Sequence, residues 1–272
     1  MKGSKIFIFL LILISVTAML LSREPEEEHI MVIVEEDKAV MKIPVEEYMV
    51  GAMAAVIDPE YEIECQKALA VLIRGNLEGN RQENEMEISI REPYYDFAMR
   101  RQLYGENQKE YEEKFTEAIE STGGLIAVSG NHILEGNYHG VSAGITRAAA
   151  DSDSVPCNKS MEAEDFFYQK EVNKEDVGNI GEIKRDSAGY VEEILVDGKI
   201  VSGEYFREQM GLPSANFELE EGESSYLIIT RGKGHGLGMD IYYANELAKQ
   251  GWNYNQILDY FFKDFILKKI IV

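Results

Sequence analysis

Apolar positions change their spacing several times along the chain, and each change marks an element. Ile6 to Leu21 is apolar apart from Ser15 and Thr17, with Lys2 and Lys5 before it and Arg23 and the acidic stretch Glu24–Glu28 after it. At 1.5 Å per residue the run covers about 24 Å, a little short of the hydrocarbon core unless Lys5 and Arg23 snorkel. Leading cations and trailing acids predict a retained transmembrane anchor with the body outside the cell. A cleaved signal peptide, cut near Val16 and Ala18, is the competing reading. Ile30–Val34 and Ala39–Ile43 then flank four charged residues, the pattern of a strand hairpin.

Helical spacing takes over at Pro44, which suits a first turn, followed by Glu46 and Glu47 where acids favour the dipole. This helix is predicted to run through Tyr48 to about Ala55. A second is predicted over Ile63–Leu77 with Gly79 as its stop, and a third over Asn107–Ser121 with Tyr111, Phe115, Ala118 and Ile119 on one face. Leu125–Val128 and His132–Leu134 read as a hairpin around Gly130-Asn131. A β region over Glu182–Val201 turns at Asp197-Gly198. Met239–Gln250 and a last helix carrying Ile257, Leu258, Phe261, Phe262 and Phe265 close the chain. The expected fold is α+β: a single compact domain of short helices and β-hairpins behind an N-terminal transmembrane helix. Residues 1–22 would be a cytoplasmic stub and anchor, 23–39 an acidic linker and first strand, 40–262 the domain, and 263–272 the end of a C-terminal helix.

Composition narrows the partners. The 272 residues are 45% hydrophobic, enough for one large core or two small lobes. Their 49 acidic against 27 basic residues leave a formal charge of −22, which repels phosphate polymers. Nucleic acid is excluded as a partner on this ground, and contact with a cell wall would be made to neutral glycan. Cys65 and Cys157 form no CxxC and no ligand spacing with His29, His132, His139 or His235, so they read as two unpaired thiols.

Four segments carry the chemistry. IPVEEYMVGAMAAVIDPEYEIECQKALAVLIR (Ile43–Arg74) is similar to an "EEY…G" helix, a short loop and an "EALKAQAVAAR" helix. YHGVSAGITR (Tyr138–Arg147) is similar to "YHSxSGGxT", and GEYFREQMGLPSANF (Gly203–Phe217) to "GxxxRxxLGLxSxxF". GKGHGLGMDIYYANELAKQGWNYNQILDYFF (Gly232–Phe262) is similar to a "GxGHGxGMSQxGA…" ending. These patterns, in this order, resemble the stage II sporulation protein D (SpoIID) and amidase-enhancer family. The resemblance implies lytic transglycosylases that cleave peptidoglycan glycan after its peptide stems are removed, working beside a membrane-anchored amidase and other engulfment proteins. No cofactor is expected, and the anchor reading places the protein in the cell membrane as a single-pass protein. One protonated carboxylic acid suffices for that reaction, because the muramyl 6-hydroxyl rather than water completes it.

In the family that acid is the glutamate of "AAEMP", and Val56 stands at its position here. Leu69 and Ile241 likewise stand where glutamines belong. The expectation is a pseudoenzyme that binds glycan or an amidase partner. The alternative is an active enzyme with its acid moved to Asp58, Glu60 or Glu64, although an exposed carboxylate is a poor acid without desolvation. The candidate cleft residues are Lys67, Arg74, Tyr138, His139, Ser142, Gly144, His235, Gly236 and Asp240. For His139, lining the groove and serving as a satisfied hydrogen-bonding group stand as equal readings, and for Lys67 and Arg74 a solvated helix face competes. Tyr242, Tyr243 and Trp252 are expected in core packing. Some relatives hold zinc through a histidine and two cysteines; Tyr95 and Arg101 occupy the cysteine places, so no metal is expected.

Overall fold

The computed structural model describes residues 31–270 apart from 37–38, 82–86, 91 and 151. The Ile6–Leu21 run lies outside the described residues. Among those described, no helix is long and apolar enough to cross a membrane.

β1 (Met31–Glu36) pairs antiparallel with β2 (Ala39–Pro44), the hairpin that the alternation predicts. α1 (Val45–Val56) follows with Glu46 and Glu47 in its first turn, as expected of the Pro44 start. α2 (Ile63–Asn80) runs past the predicted stop at Gly79 and ends where Arg81 turns extended. A glycine inside a helix costs only about 1 kcal/mol against alanine, and eleven buried residues hold the helix in place. β3 (Glu87–Ile90) then lies parallel to β1. α3 (Phe97–Tyr104) is N-capped by Asp96, whose carboxylate accepts from Met99 N. α4 (Gln108–Ser121) buries Phe115, Ala118 and Ile119, three of the four residues on its predicted face. β4 (Leu125–Ser129) and β5 (His132–Ile133) form the expected hairpin, and the short β6 (Tyr138–His139) follows.

The next stretch builds a second unit. β7 (Phe167–Asn173), α5 (Lys174–Val177), β8 (Ile180–Arg185), β9 (Val191–Val196), β10 (Lys199–Ser202), α6 (Gly203–Met210), β11 (Phe217–Glu221) and β12 (Ser225–Arg231) run in succession. They make two antiparallel sheets, ordered β10-β9-β8 and β11-β12-β7. Asp197 and Gly198 both take positive φ, 47° and 77°, in the turn between β9 and β10.

β13 (Met239–Asp240) pairs parallel with β6, and α7 (Ile241–Lys249), α8 (Tyr254–Phe261) and β14 (Phe265–Lys269) end the description. The tail therefore departs from the expected C-terminal helix. α8 opens on an Asn253–Gln256 capping box, stops at Phe261, and Phe265 enters a strand paired antiparallel with β4. The open edge of β4 supplies a ladder of backbone partners to that tail, outweighing the helical spacing of Phe261, Phe262 and Phe265.

Among the described residues two main apolar cores and two small clusters result where one core was a sufficient expectation. The larger surrounds α2, whose Leu69–Ile73 run is buried on every side against α1, α4, α7 and α8. The smaller packs Val191, Ile194, Phe206, Phe217, Tyr226 and Ile228 between α6 and its sheets. α3 is tied to the larger core by Arg100, only 1% exposed, which reaches Glu47 Oε1 and Glu112 Oε1 at 2.6 Å each and donates to Tyr95 O at 2.8 Å. Burial alone would lower its pKa, but the two carboxylates outweigh that and raise it. Tyr95 and Arg101 are exposed and supply no thiolate, so this segment does not fit a zinc ion. Both cysteines are free and buried, and burial pushes both thiols up from their ordinary range.

Candidate functional site

A cleft of roughly 790 Å³ opens between the two cores. The end of α1 brings Ala55 and Val56 to one wall, and the loop to α2 adds Asp58 and Tyr61. Residues 136–141 and Ile241 are also part of the lining. Arg207 and Pro213 from the second unit, with Lys233, Gly234 and His235 of the glycine-rich segment, contribute another part. Clefts at the junction of two packed units are common places for ligands.

The candidate residues divide plainly. Tyr138, His139 and His235 line the cleft. Lys67, Arg74, Ser142, Gly144, Gly236 and Asp240 are not among its lining residues. Lys67 pairs with Glu64 at 2.8 Å on the flank of α2. Arg74 is buried and caps chain ends, donating to the carbonyls of Ile119, Thr122 and Leu125; burial lowers its pKa to about 10. Asp240 is fully buried and ties three segments together: its carboxylate accepts from Ser142 N, Ser160 Oγ and Tyr243 N, the last as the N-cap of α7. Ser142 and Asp240 thus hold the motifs together behind the cleft. Gly144 sits beside Met161 at φ +95°. At Gly236, φ is +79° and a side chain would meet the Tyr190 ring at 2.5 Å, so the residue serves close packing.

The two histidines form one polar unit through Leu237. His139 Nδ1 donates to Leu237 O at 3.0 Å, and Leu237 N donates to His235 Nδ1 at 3.1 Å. Through its C=O and its N–H, Leu237 therefore sets opposite tautomers on the two rings, whose centroids stand 5.8 Å apart. His139 lines the cleft wall, and its ring is satisfied at Nδ1 only, so it is not the fully satisfied group of the second reading. Its Nε2 is buried with no hydrogen-bond partner among the described residues. Arg147 anchors the segment from behind, donating to His235 O at 3.2 Å while it pairs with Asp186 at 2.6 Å.

Burial, with the neighbouring His139 and Arg207 adding to it, lowers His235 to about 4, and burial lowers His139 as well. The unfolded chain binds protons at these rings near pH 6.5, where the folded chain does not. Their contribution is whole above that pH and falls away as pH drops toward 4, by up to about 3 kcal/mol for His235. Denaturant titrations between pH 7.5 and 5 are expected to show this slope in the wild type and a smaller one in His235→Asn. Equal slopes would refute it.

Sequence reading missed Glu92 and Tyr61. Glu92 lines the cleft half-buried, with Oε2 accepting from the Tyr138 hydroxyl at 2.9 Å and Oε1 from Asn76 Nδ2 at 3.4 Å. Asn76 also bonds both backbone groups of Gly136, joining α2 to the cleft floor. The Glu92 loop reaches this place because Gly51 in α1 has no side chain; a Cβ there would lie 2.2 Å from the Tyr94 ring. No spacing rule announces Glu92, since its partners come from α2 and β6. Of the relocated-acid candidates only Asp58 lines the cleft, and it is exposed, with Oδ1 accepting from Glu60 N. Glu60 is exposed, and Glu64 is engaged by Lys67 and Tyr254 N. Leu69, expected at the cleft, is instead fully buried in the larger core, whereas Ile241 does line it. Tyr243 and Trp252 pack around Tyr260, and Tyr242 against the small Val141–Phe166 cluster; none of the three is among the cleft's lining residues.

Fold and site together define an α+β protein whose histidine-bearing cleft is assembled from segments far apart along the chain. Residues 35–128 match the SpoIID family model, described as a stage II sporulation protein. The chain is 26% identical over 257 residues to stage II sporulation protein D of Bacillus subtilis (strain 168), covering 84% of this chain and 75% of that one. It is equally identical over 255 residues to stage II sporulation protein D of Bacillus amyloliquefaciens, covering 83% and 74%. An uncharacterized protein of Brachyspira hyodysenteriae is 22% identical over 249 residues. The resemblance read from the motifs is therefore shown, by the family model over residues 35–128 and by relatives 26% identical over most of the chain.

Proposed function

We propose that this chain is a membrane-anchored, extracytoplasmic sporulation protein that holds peptidoglycan glycan strands, or an amidase partner working on them, during forespore engulfment without cutting the glycan. One observation carries the reading. Val56, a hydrocarbon side chain, lines the cleft at the position where the family resemblance puts the proton donor. Ile241, lining the same cleft, replaces a family glutamine with a second apolar group. Glu92 accepts hydrogen bonds at both oxygens, an arrangement suited to orienting a ligand more than to passing a proton to a glycosidic oxygen. The cleft volume suits a short stretch of sugar, and Tyr61 and Tyr138 offer aromatic surface to it. The Ile6–Leu21 run is assigned as the anchor on its length and flanking charges.

The competing reading, an active lytic transglycosylase using Asp58, draws on that residue's place beside Val56 at the cleft. One digestion separates the two. The full chain in detergent, incubated with amidase-treated peptidoglycan, is expected to sediment with the glycan and to release no 1,6-anhydro-muramyl products. Their release would sink the non-catalytic reading, and loss of that release in Asp58→Asn would establish its rival.

A further inference from the structure

The charges of the cleft are not balanced evenly. Lys233 is paired with Asp165 at 3.0 Å, and Arg207 with Glu204 at 2.8 Å, so both lining cations already have carboxylate partners. Asp58 and Glu92 line the cleft too, and among the described residues no lysine or arginine pairs with either. Glu92 is also held in place: the Tyr138 hydroxyl and the Asn76 amide fix both its oxygens, and Asn76 is itself bonded to Gly136. Each of those oxygens keeps lone-pair capacity for a further donor. The neighbouring His139 ring is 4% exposed, with Nδ1 committed to Leu237 O and Nε2 an unpartnered acceptor. His139 Nε2 is buried, so the acceptor capacity and negative charge that this part of the lining offers a ligand come from Glu92 and Asp58.

We propose that Glu92, held by Tyr138 and Asn76 and supported by Asp58, is a specificity-determining residue that makes the cleft favour glycans carrying free, protonated amino groups over fully N-acetylated ones. The inference rests on the glycan-binding reading above and names its sugar class. An ammonium donates three hydrogen bonds and gains Coulomb attraction to an ionised carboxylate, whereas an acetamido N–H donates one and carries no charge. A preference of roughly tenfold is the scale of one such contact at a partly solvated site.

The test titrates the full chain in detergent, at about pH 6 where a hexosamine amine is protonated, with two β-1,4 tetrasaccharides, one of N-acetylglucosamine and one of glucosamine. The glucosamine tetramer is expected to bind about tenfold more tightly at low salt. Glu92→Gln, which keeps an acceptor for Tyr138, is expected to remove most of that preference. The exposed α4 variant Glu117→Gln is expected to retain it. Thermal melting of Glu92→Gln checks that the fold is intact, and Asp58→Asn provides a second removal of charge from an exposed position.

A preference untouched by Glu92→Gln and Asp58→Asn belongs to the acidic surface as a whole and overturns the proposal. So does equal or tighter binding of the acetylated tetramer, which leaves the glycan-binding reading standing. If neither tetramer binds and amidase-treated peptidoglycan does not sediment with the chain, the glycan-binding reading falls along with the inference.

Discussion

Replacing Arg100 with methionine is expected to lower stability by about 3 kcal/mol and the melting temperature by on the order of 10 °C. Arg100 is the largest fully buried side chain among the described residues, and its three donor nitrogens each have a partner: Glu112, Tyr95 O and Glu47. Methionine fills similar volume but leaves the Tyr95 carbonyl without that donor and sets Glu47 and Glu112 facing each other with no cation between them. Breaking a fully buried pair costs about 3–5 kcal/mol. The lower end applies here because Glu47 and Glu112 keep 41% and 23% of their side chains in water. Arg100→Lys, with its compact ammonium in place of a planar fork, is expected to fall between the two. Thermal and urea denaturation of the three proteins measure the effect. A shift of less than about 2 °C in the methionine variant would mean that α3 is held by packing alone. The three side chains join α1, α3 and α4, so removing the guanidinium should loosen α3 and the Tyr94–Tyr95 contact with Gly51 before the second core is affected.

The second large effect is a gain. Val56→Glu is expected to release 1,6-anhydro-muramyl products from amidase-treated peptidoglycan at about 10²–10⁴ times the wild-type rate, the usual worth of a positioned general acid. Position 56 is the last residue of α1 and only half-buried, so a longer side chain has the cleft to extend into without displacing core atoms. Ile241 lines the same cleft, and partial removal from water beside such apolar groups favours the protonated carboxyl that the step requires. Ile241→Gln, added to Val56→Glu, restores the second polar group at the cleft and is expected to raise the rate further. If both variants sediment with glycan as the wild type does and neither releases product, the proton-donor position has been assigned to the wrong residue.

Much of the fold was legible because local pattern and burial agreed. The β1–β2 hairpin, α1 behind Pro44, the buried face of α4 and the Asp197-Gly198 turn all follow from spacing and turn chemistry. Legibility failed where a distant partner decided the outcome. Phe265 continues the apolar spacing of α8, yet pairs in register with Ser129 of β4. Arg74 reads as a cleft residue by its place on the helix seven residues after Lys67, yet its guanidinium closes the carbonyls at the end of α4. Leu69 aligns with a polar family position, yet α2 turns it into the core.

For the site, the sequence by itself determined the family, the order of the segments, the presence of Tyr138, His139 and His235, and the absence of a carboxyl at position 56. Those are properties of residue type and spacing along one strand or helix. Only the tertiary structure decided that Ser142 and Asp240 act behind the cleft and that one residue, Leu237, sets both histidine tautomers. It likewise decided that Glu92 stands beside Tyr138 and Asn76, residues 46 and 16 positions away. The reason is that a hydrogen bond depends on distance in space, and separations of that size along the chain leave no periodic trace in the sequence.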